Sequence, residues 1–123
     1  MTKIRSGIDL VEIQRFRKLN PSILQHFIQR VLTRAEQAES SGSLIRLAGK
    51  FAAKEAAVKA LGCGIGPVCW QEIEILHNSA GQPTLVLHGN AMKFAIEQRI
   101  TDWSVSISHT ADYAVAEAVF ASL

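Results

Sequence analysis

Apolar residues recur along this chain at two periods. Up to about residue 62 they mostly fall three or four apart, as on one face of a helix; beyond Pro67 they mostly alternate, as on a strand. Residues 3–10 are an early exception and predict a strand, with Ile4, Ile8 and Leu10 on one side and Arg5, Gly7 and Asp9 on the other. Residues 11–19 predict a short helix with Ile13, Phe16 and Leu19 inward, broken at Asn20-Pro21. Residues 22–31 predict a second, with Ile23, Phe27 and Val31 in line. Thr33 and Glu36 have the spacing of a capping box and open a third, which gives way at Ser40-Ser41-Gly42-Ser43.

The longest stretch, residues 44–66, reads as a helix running into a glycine-rich turn. Ala, Leu, Lys and Glu dominate it, proline is absent, Ser43 suits the N-cap, and Gly62 suits a left-handed stop. After Pro67, residues 72–75 and 84–87 alternate on either side of a turn at 78–83. Asn90 is placed to cap a helix over 91–99. Residues 103–108 set Trp103, Val105 and Ile107 against Ser104, Ser106 and Ser108, and 113–121 return the chain. There is no repeat and no long linker, so helices followed by an antiparallel sheet predict one α+β domain over residues 1–123.

Glu55 breaks the pattern of the long helix. It falls in a stripe with Leu44, Leu47, Ala48, Phe51 and Val58, where a bare carboxylate is costly and must be paired, protonated or bound to a cation. Arg46, Lys50 and Lys54 form a row beside it, and Lys59 lies one turn on. Two readings stand: a metal carboxylate flanked by cations for a phosphate-bearing ligand, or a Glu55–Lys59 pair beside a solvated basic ridge. Asp9 is likewise either a helix cap, with Glu12 three residues on, or a metal ligand at a strand end.

Composition narrows the field. The chain has 123 residues, 48% of them hydrophobic, enough for one small core. A net charge of +2 argues against a dedicated nucleic-acid binder. Cys63 and Cys69 make no metal-binding spacing and read as reduced thiols. Nothing approaches a membrane span or a signal core, which points to the cytoplasm. The Gly62, Gly64, Gly66 run follows a helix, so it is no dinucleotide fingerprint, although glycines admit a ligand close to the backbone. Ser106, Ser108, His109 and Thr110 could donate hydrogen bonds to a phosphate.

Three separated pieces then match one family: GIDLVEI at 7–13, FAAKEAAVKALG at 51–62, and SISHT at 106–110. With them the sequence resembles the holo-acyl-carrier-protein synthases, short bacterial 4′-phosphopantetheinyl transferases. The resemblance implies a long central helix packed on a small antiparallel sheet. It implies transfer of the phosphopantetheine arm of coenzyme A to a serine of apo-acyl carrier protein, with adenosine 3′,5′-bisphosphate released, in fatty acid and lipid biosynthesis.

By the same resemblance, Mg²⁺ would rest on Asp9 and Glu55. Glu55, directly or through water, would take the serine proton, and Lys59 would neutralise the diphosphate. Lys50 and His109 would hold the 3′-phosphate of coenzyme A. Lys54, Ser106, Thr110 and the turn of Gly62, Gly64 and Gly66 would shape its pocket, with Pro83 beside the adenine. Arg15, Phe27 and Arg30 would meet the acidic carrier, with His26 next to that phenylalanine. Short members form homotrimers with sites between subunits. Two positions depart from the family pattern: Lys50 stands where arginine is common and lacks its bidentate fork, and Cys63 replaces a usual threonine. Two rival classes remain in view, a silent carrier-docking module and a small basic nucleic-acid binder.

Overall fold

The long helix, α4 (Leu44–Leu61), is enclosed on most sides in the computed structural model, which describes residues 1–123. Ser43 caps it by accepting a hydrogen bond from the Arg46 amide, and Gly62 ends it at φ 75°. One face of α4 lies on a three-stranded antiparallel sheet of order β1-β5-β4, built from β1 (Lys3–Glu12), β4 (Ile100–His109) and β5 (Tyr113–Ser122). The register places Asp9 opposite Ala116, and Ala116 opposite Ile107.

The sheet can approach the helix closely because the facing residues are small. Ala114, Ala116 and Ala118 of β5 are buried towards Ala52, Ala53, Ala56 and Ala57 of α4 in one cluster of 27 apolar residues. At Gly7 the approach is closest: a Cβ there would lie 2.0 Å from the Ala56 carbonyl oxygen and 2.8 Å from the Ala60 nitrogen. Only glycine tolerates such contact between backbones.

Three short helices, α1 (Gln14–Arg17), α2 (Pro21–Val31) and α3 (Arg34–Ser40), precede α4. The expected Thr33–Glu36 capping box is present at α3. A hairpin of β2 (Ile73–His77) and β3 (Pro83–Leu87), then α5 (Gly89–Glu97), complete the chain. The Trp103 indole ties the hairpin to the main sheet, donating to the Leu85 carbonyl at 2.7 Å.

Several expectations change. The first strand runs on to Glu12 because Leu10 and Val11 pair with Val115 and Ala114. Asp9 therefore sits inside the strand and caps nothing, and the helix expected over 11–19 shrinks to α1. Ile23 is 57% exposed, since Leu24, Phe27, Ile28 and Val31 form the inward side of α2. Asn90 lies within α5; the Glu72 carboxylate receives its amide and caps the helix from another element.

The basic ridge on α4 also turns out differently. Arg46 is exposed, but Lys50 and Lys54 are 1% and 0% exposed. Both ammonium groups meet carboxylates of α3: Lys54 with Glu36 at 2.8 Å and Lys50 with Glu39 at 2.6 Å. Spacing on one helix could not reveal partners on another. Lys54 also donates to the Trp70 and Ile73 carbonyls, while Glu36 receives the Thr33 and Ile75 amides. Breaking the Lys54–Glu36 pair would leave a bare buried charge, a loss of about 3–5 kcal/mol.

The outer face of the main sheet is bare. Ile4, Ile8 and Leu10, the apolar side of β1, are 75%, 62% and 62% exposed. Gly7→Ala should destabilise the fold by about 1–3 kcal/mol through overpacking, read as a lower thermal midpoint; an unchanged midpoint would contradict the close contact.

Candidate active site

Gly7 seats β1 on α4, and two residues further on the same face Asp9 meets the end of that helix. The Lys59 ammonium donates to Asp9 Oδ1 and to the Ile8 carbonyl, each at 3.0 Å. Glu55, one turn before Lys59 on α4, is half-buried beside them. Burial pushes the Glu55 carboxyl above its ordinary range, the Asp9 charge pushes it further, and Lys59 and Arg15 pull back. Of the two readings of Glu55, the pair with Lys59 does not form; Lys59 pairs with Asp9 instead. Glu55 is left as a carboxylate without a direct ion pair, next to a second negative charge.

Arg15 borders the same place. Its guanidinium carbon lies 5.5 Å from the Phe16 ring centroid and 5.7 Å from that of Phe51, a cation–π position. Phe27 packs on both rings at 5.3 and 5.1 Å, so it is half-buried in this aromatic cluster and not a free-standing anchor.

Across the sheet, beside the His109 end of β4, is a cleft of about 230 Å³ whose walls include Arg46, Lys50, His77, Pro83, Ile107 and His109. It adjoins a second hollow of about 380 Å³ bounded by Glu39, Arg46, Lys50, His77 and Gly81. Lys50, Pro83 and His109 are therefore brought together, although the Lys50 ammonium is engaged by Glu39 and by the Ile75 carbonyl, both at 2.6 Å. His77 carries no local signal in the sequence, and Arg46 carries only that of the ridge; it is the placing of β2, which ends at His77, that brings His77 to the cleft.

Burial alone would raise the Glu39 carboxyl, but hydrogen bonds from Lys50 and from the His77 backbone and ring hold it at about 2. Desolvation lowers the Lys54 ammonium, opposed by Glu36.

Other expected residues lie elsewhere. Lys54 is in the core with its donors used, which removes it from any ligand pocket in this conformation. Thr110 Oγ1 receives the Asp112 and Tyr113 amides and serves the turn. Ser106 faces a shallow groove on the outer sheet face with Ile8, Ser108 and Glu117. Gly66 shares a separate hollow of about 370 Å³ with Arg30, Trp70 and Gln71. Gly62 and Gly64 turn the chain towards it at φ 75° and 69°. One chain thus carries two chemically distinct groups, a carboxylate pair with Lys59 and a basic cleft, with no shared cavity.

The donor set is open. No three His, Cys, Asp or Glu side chains gather anywhere, so Asp9 and Glu55 could supply only part of a coordination shell. Two oxygen donors, with the remainder left to water and phosphate, suit Mg²⁺ far better than zinc.

Comparison with known proteins gives the same family as the motifs. Residues 5–118 match the model of the 4′-phosphopantetheinyl transferase superfamily. The chain is 43% identical to the holo-[acyl-carrier-protein] synthase of Alkaliphilus metalliredigens, over 92% of this chain and 94% of that one. It is 46% identical to that of Solidesulfovibrio magneticus, over 92% and 94%. Among solved structures, the Helicobacter pylori holo-[acyl-carrier-protein] synthase in complex with coenzyme A superposes with a TM-score of 0.84 at 34% identity, covering 94% of this chain and 98% of that one.

The ordinary carboxyl value is 4.5 and Glu39 is held at about 2, so its contribution to stability is complete above pH 4.5 and lost as pH falls towards 2. Glu39→Gln should lower stability at neutral pH and flatten the acid loss in that window. Equal slopes in acid-unfolding curves of the two proteins would contradict this.

Proposed function

The chain belongs to the 4′-phosphopantetheinyl transferase superfamily, and from that membership we propose how its own residues carry the reaction. It transfers the phosphopantetheine arm of coenzyme A to apo-acyl carrier protein. The observation that carries the assignment of roles is the meeting of Asp9, Glu55 and Lys59 where β1 lies on α4.

Asp9 and Glu55 hold Mg²⁺. The two adjacent carboxylates, with only Lys59 paired to one of them, are what a cation would relieve. When bound, the ion supplies positive charge to the diphosphate and its leaving group. Lys59, 54% exposed, keeps its third N–H for a diphosphate oxygen. The carrier serine oxygen forms a bond to the β-phosphorus. The bond from that phosphorus to the bridging oxygen breaks, and adenosine 3′,5′-bisphosphate leaves with the electron pair. Glu55 accepts the serine proton, directly or through a water molecule.

The adenosine end occupies the cleft of Pro83 and His109. Because that cleft and the carboxylate pair do not share a cavity within one chain, neighbouring copies complete each other's sites. The uncovered Ile4, Ile8 and Leu10 face supports such an assembly, a homotrimer. Arg15 and Arg30, both exposed, receive the acidic carrier, with Phe27 supporting them from beneath. The modified carrier serves fatty acid and lipid biosynthesis. No helix is long and apolar enough to cross a membrane, and the free thiols of Cys63 and Cys69 go with a reducing cytoplasmic setting.

Incubation with Mg²⁺, coenzyme A and an apo-carrier should add the mass of the arm to the carrier. Glu55→Ala should abolish this while leaving the circular dichroism unchanged; full activity in the variant, or no mass shift with several carriers, would reject the reading. Ile4→Glu should convert a trimer to smaller species in sedimentation velocity, and an unaltered sedimentation coefficient would remove that face from the interface.

A further inference from the structure

We propose that Arg46, and not Lys50, supplies the free positive charge that recognises the 3′-phosphate of coenzyme A in this chain, with His77 and His109 on the walls around it. The proposal rests on the coenzyme A reading above and adds to it the residue that selects the phosphate.

Lys50 is poorly placed for the task. Its side chain is 1% exposed, and two of its three donors are taken by Glu39 Oε1 and the Ile75 carbonyl at 2.6 Å. The charge of Glu39 offsets its own, so an incoming dianion would meet a neutral pair. Glu39 is also engaged by the His77 amide and ring, at 3.2 Å each. Attracting Lys50 to a ligand would mean breaking this arrangement.

Arg46 has no such partner. It is exposed and makes no ion pair, and its side chain donates only one bond, to the Glu39 carbonyl at 3.0 Å. Of five guanidinium donors, most remain available. It borders both adjoining hollows, together with His77. Four residues before Lys50, it stands on the same flank of α4, about 6 Å along the axis. The arginine that the family resemblance expects at position 50 is thus matched by a guanidinium one turn earlier. Its planar fork can bind two phosphate oxygens at once, which an ammonium cannot. His77 uses Nδ1 towards Glu39 and leaves Nε2 for the cleft, and exposed His109 lines another wall.

The test is calorimetric titration of the intact protein with coenzyme A and with 3′-dephospho-coenzyme A. The unaltered protein should prefer coenzyme A. Arg46→Gln should lose about tenfold to a hundredfold in coenzyme A affinity, the range for a hydrogen bond to a charged group, while its affinity for the dephospho compound stays the same. That second ligand separates phosphate recognition from damage to the cleft. Glu39→Gln, which removes the charge masking Lys50, should increase the preference for coenzyme A. An unchanged preference in Arg46→Gln overturns the assignment to Arg46 even if transfer activity persists, and an unchanged preference in Glu39→Gln overturns the masking of Lys50. Failure of the unaltered protein to bind either compound overturns the coenzyme A reading, and this proposal with it.

Discussion

The contact between the backbone of β1 and that of α4 governs the rest of this structure. At Gly7 a methyl group would fall 2.0 Å from the Ala56 carbonyl oxygen, so strand and helix meet with no side chain between them. The buried alanines of β5 extend the same close packing across the sheet. Any larger residue would lift β1 and carry Asp9 away from Glu55. The carboxylate pair is therefore a consequence of how small the neighbouring residues are.

A second constraint acts on the other side of α4. The Lys54–Glu36 and Lys50–Glu39 pairs fasten α3 to the long helix, and each of the four residues also hydrogen-bonds to the β2 backbone. Buried ion pairs stabilise little over well-packed apolar residues, but they demand one geometry. Here that geometry sets the wall of the basic cleft, because His77 ends the strand so fixed and Arg46 stands one turn from Lys50. The alanine-rich inner face positions the chemistry, and the charged flank positions the ligand cleft.

How far these features were legible varies with the range of the interactions. The long helix, its Ser43 and Gly62 ends and the Thr33–Glu36 box depend on neighbours within a few residues, and their spacing reveals them. The pattern also marked Glu55 as anomalous. It could not distinguish the buried Lys50 and Lys54 from a solvated ridge, because their partners lie on α3. It left Asp9 open between a helix cap and a metal ligand, because the pairing of Leu10 and Val11 with β5 that prolongs the strand is a contact between distant segments. Alternation separated the two faces of β1 correctly without saying which was buried; the apolar face is the exposed one. The assembly of Arg46, His77 and His109 around one cleft likewise requires three elements to be placed in space.

The central claim is that Asp9 and Glu55 act together on a single divalent cation. It is tested most directly by calorimetric titration of Mg²⁺, in the presence of coenzyme A, into the unaltered protein, Asp9→Asn, Glu55→Gln and the double variant. Shared coordination predicts that either substitution removes most of the metal-dependent heat and that the second adds little to the first. Losses that simply add, or a variant that retains full metal binding, would show that the two carboxylates serve separate purposes.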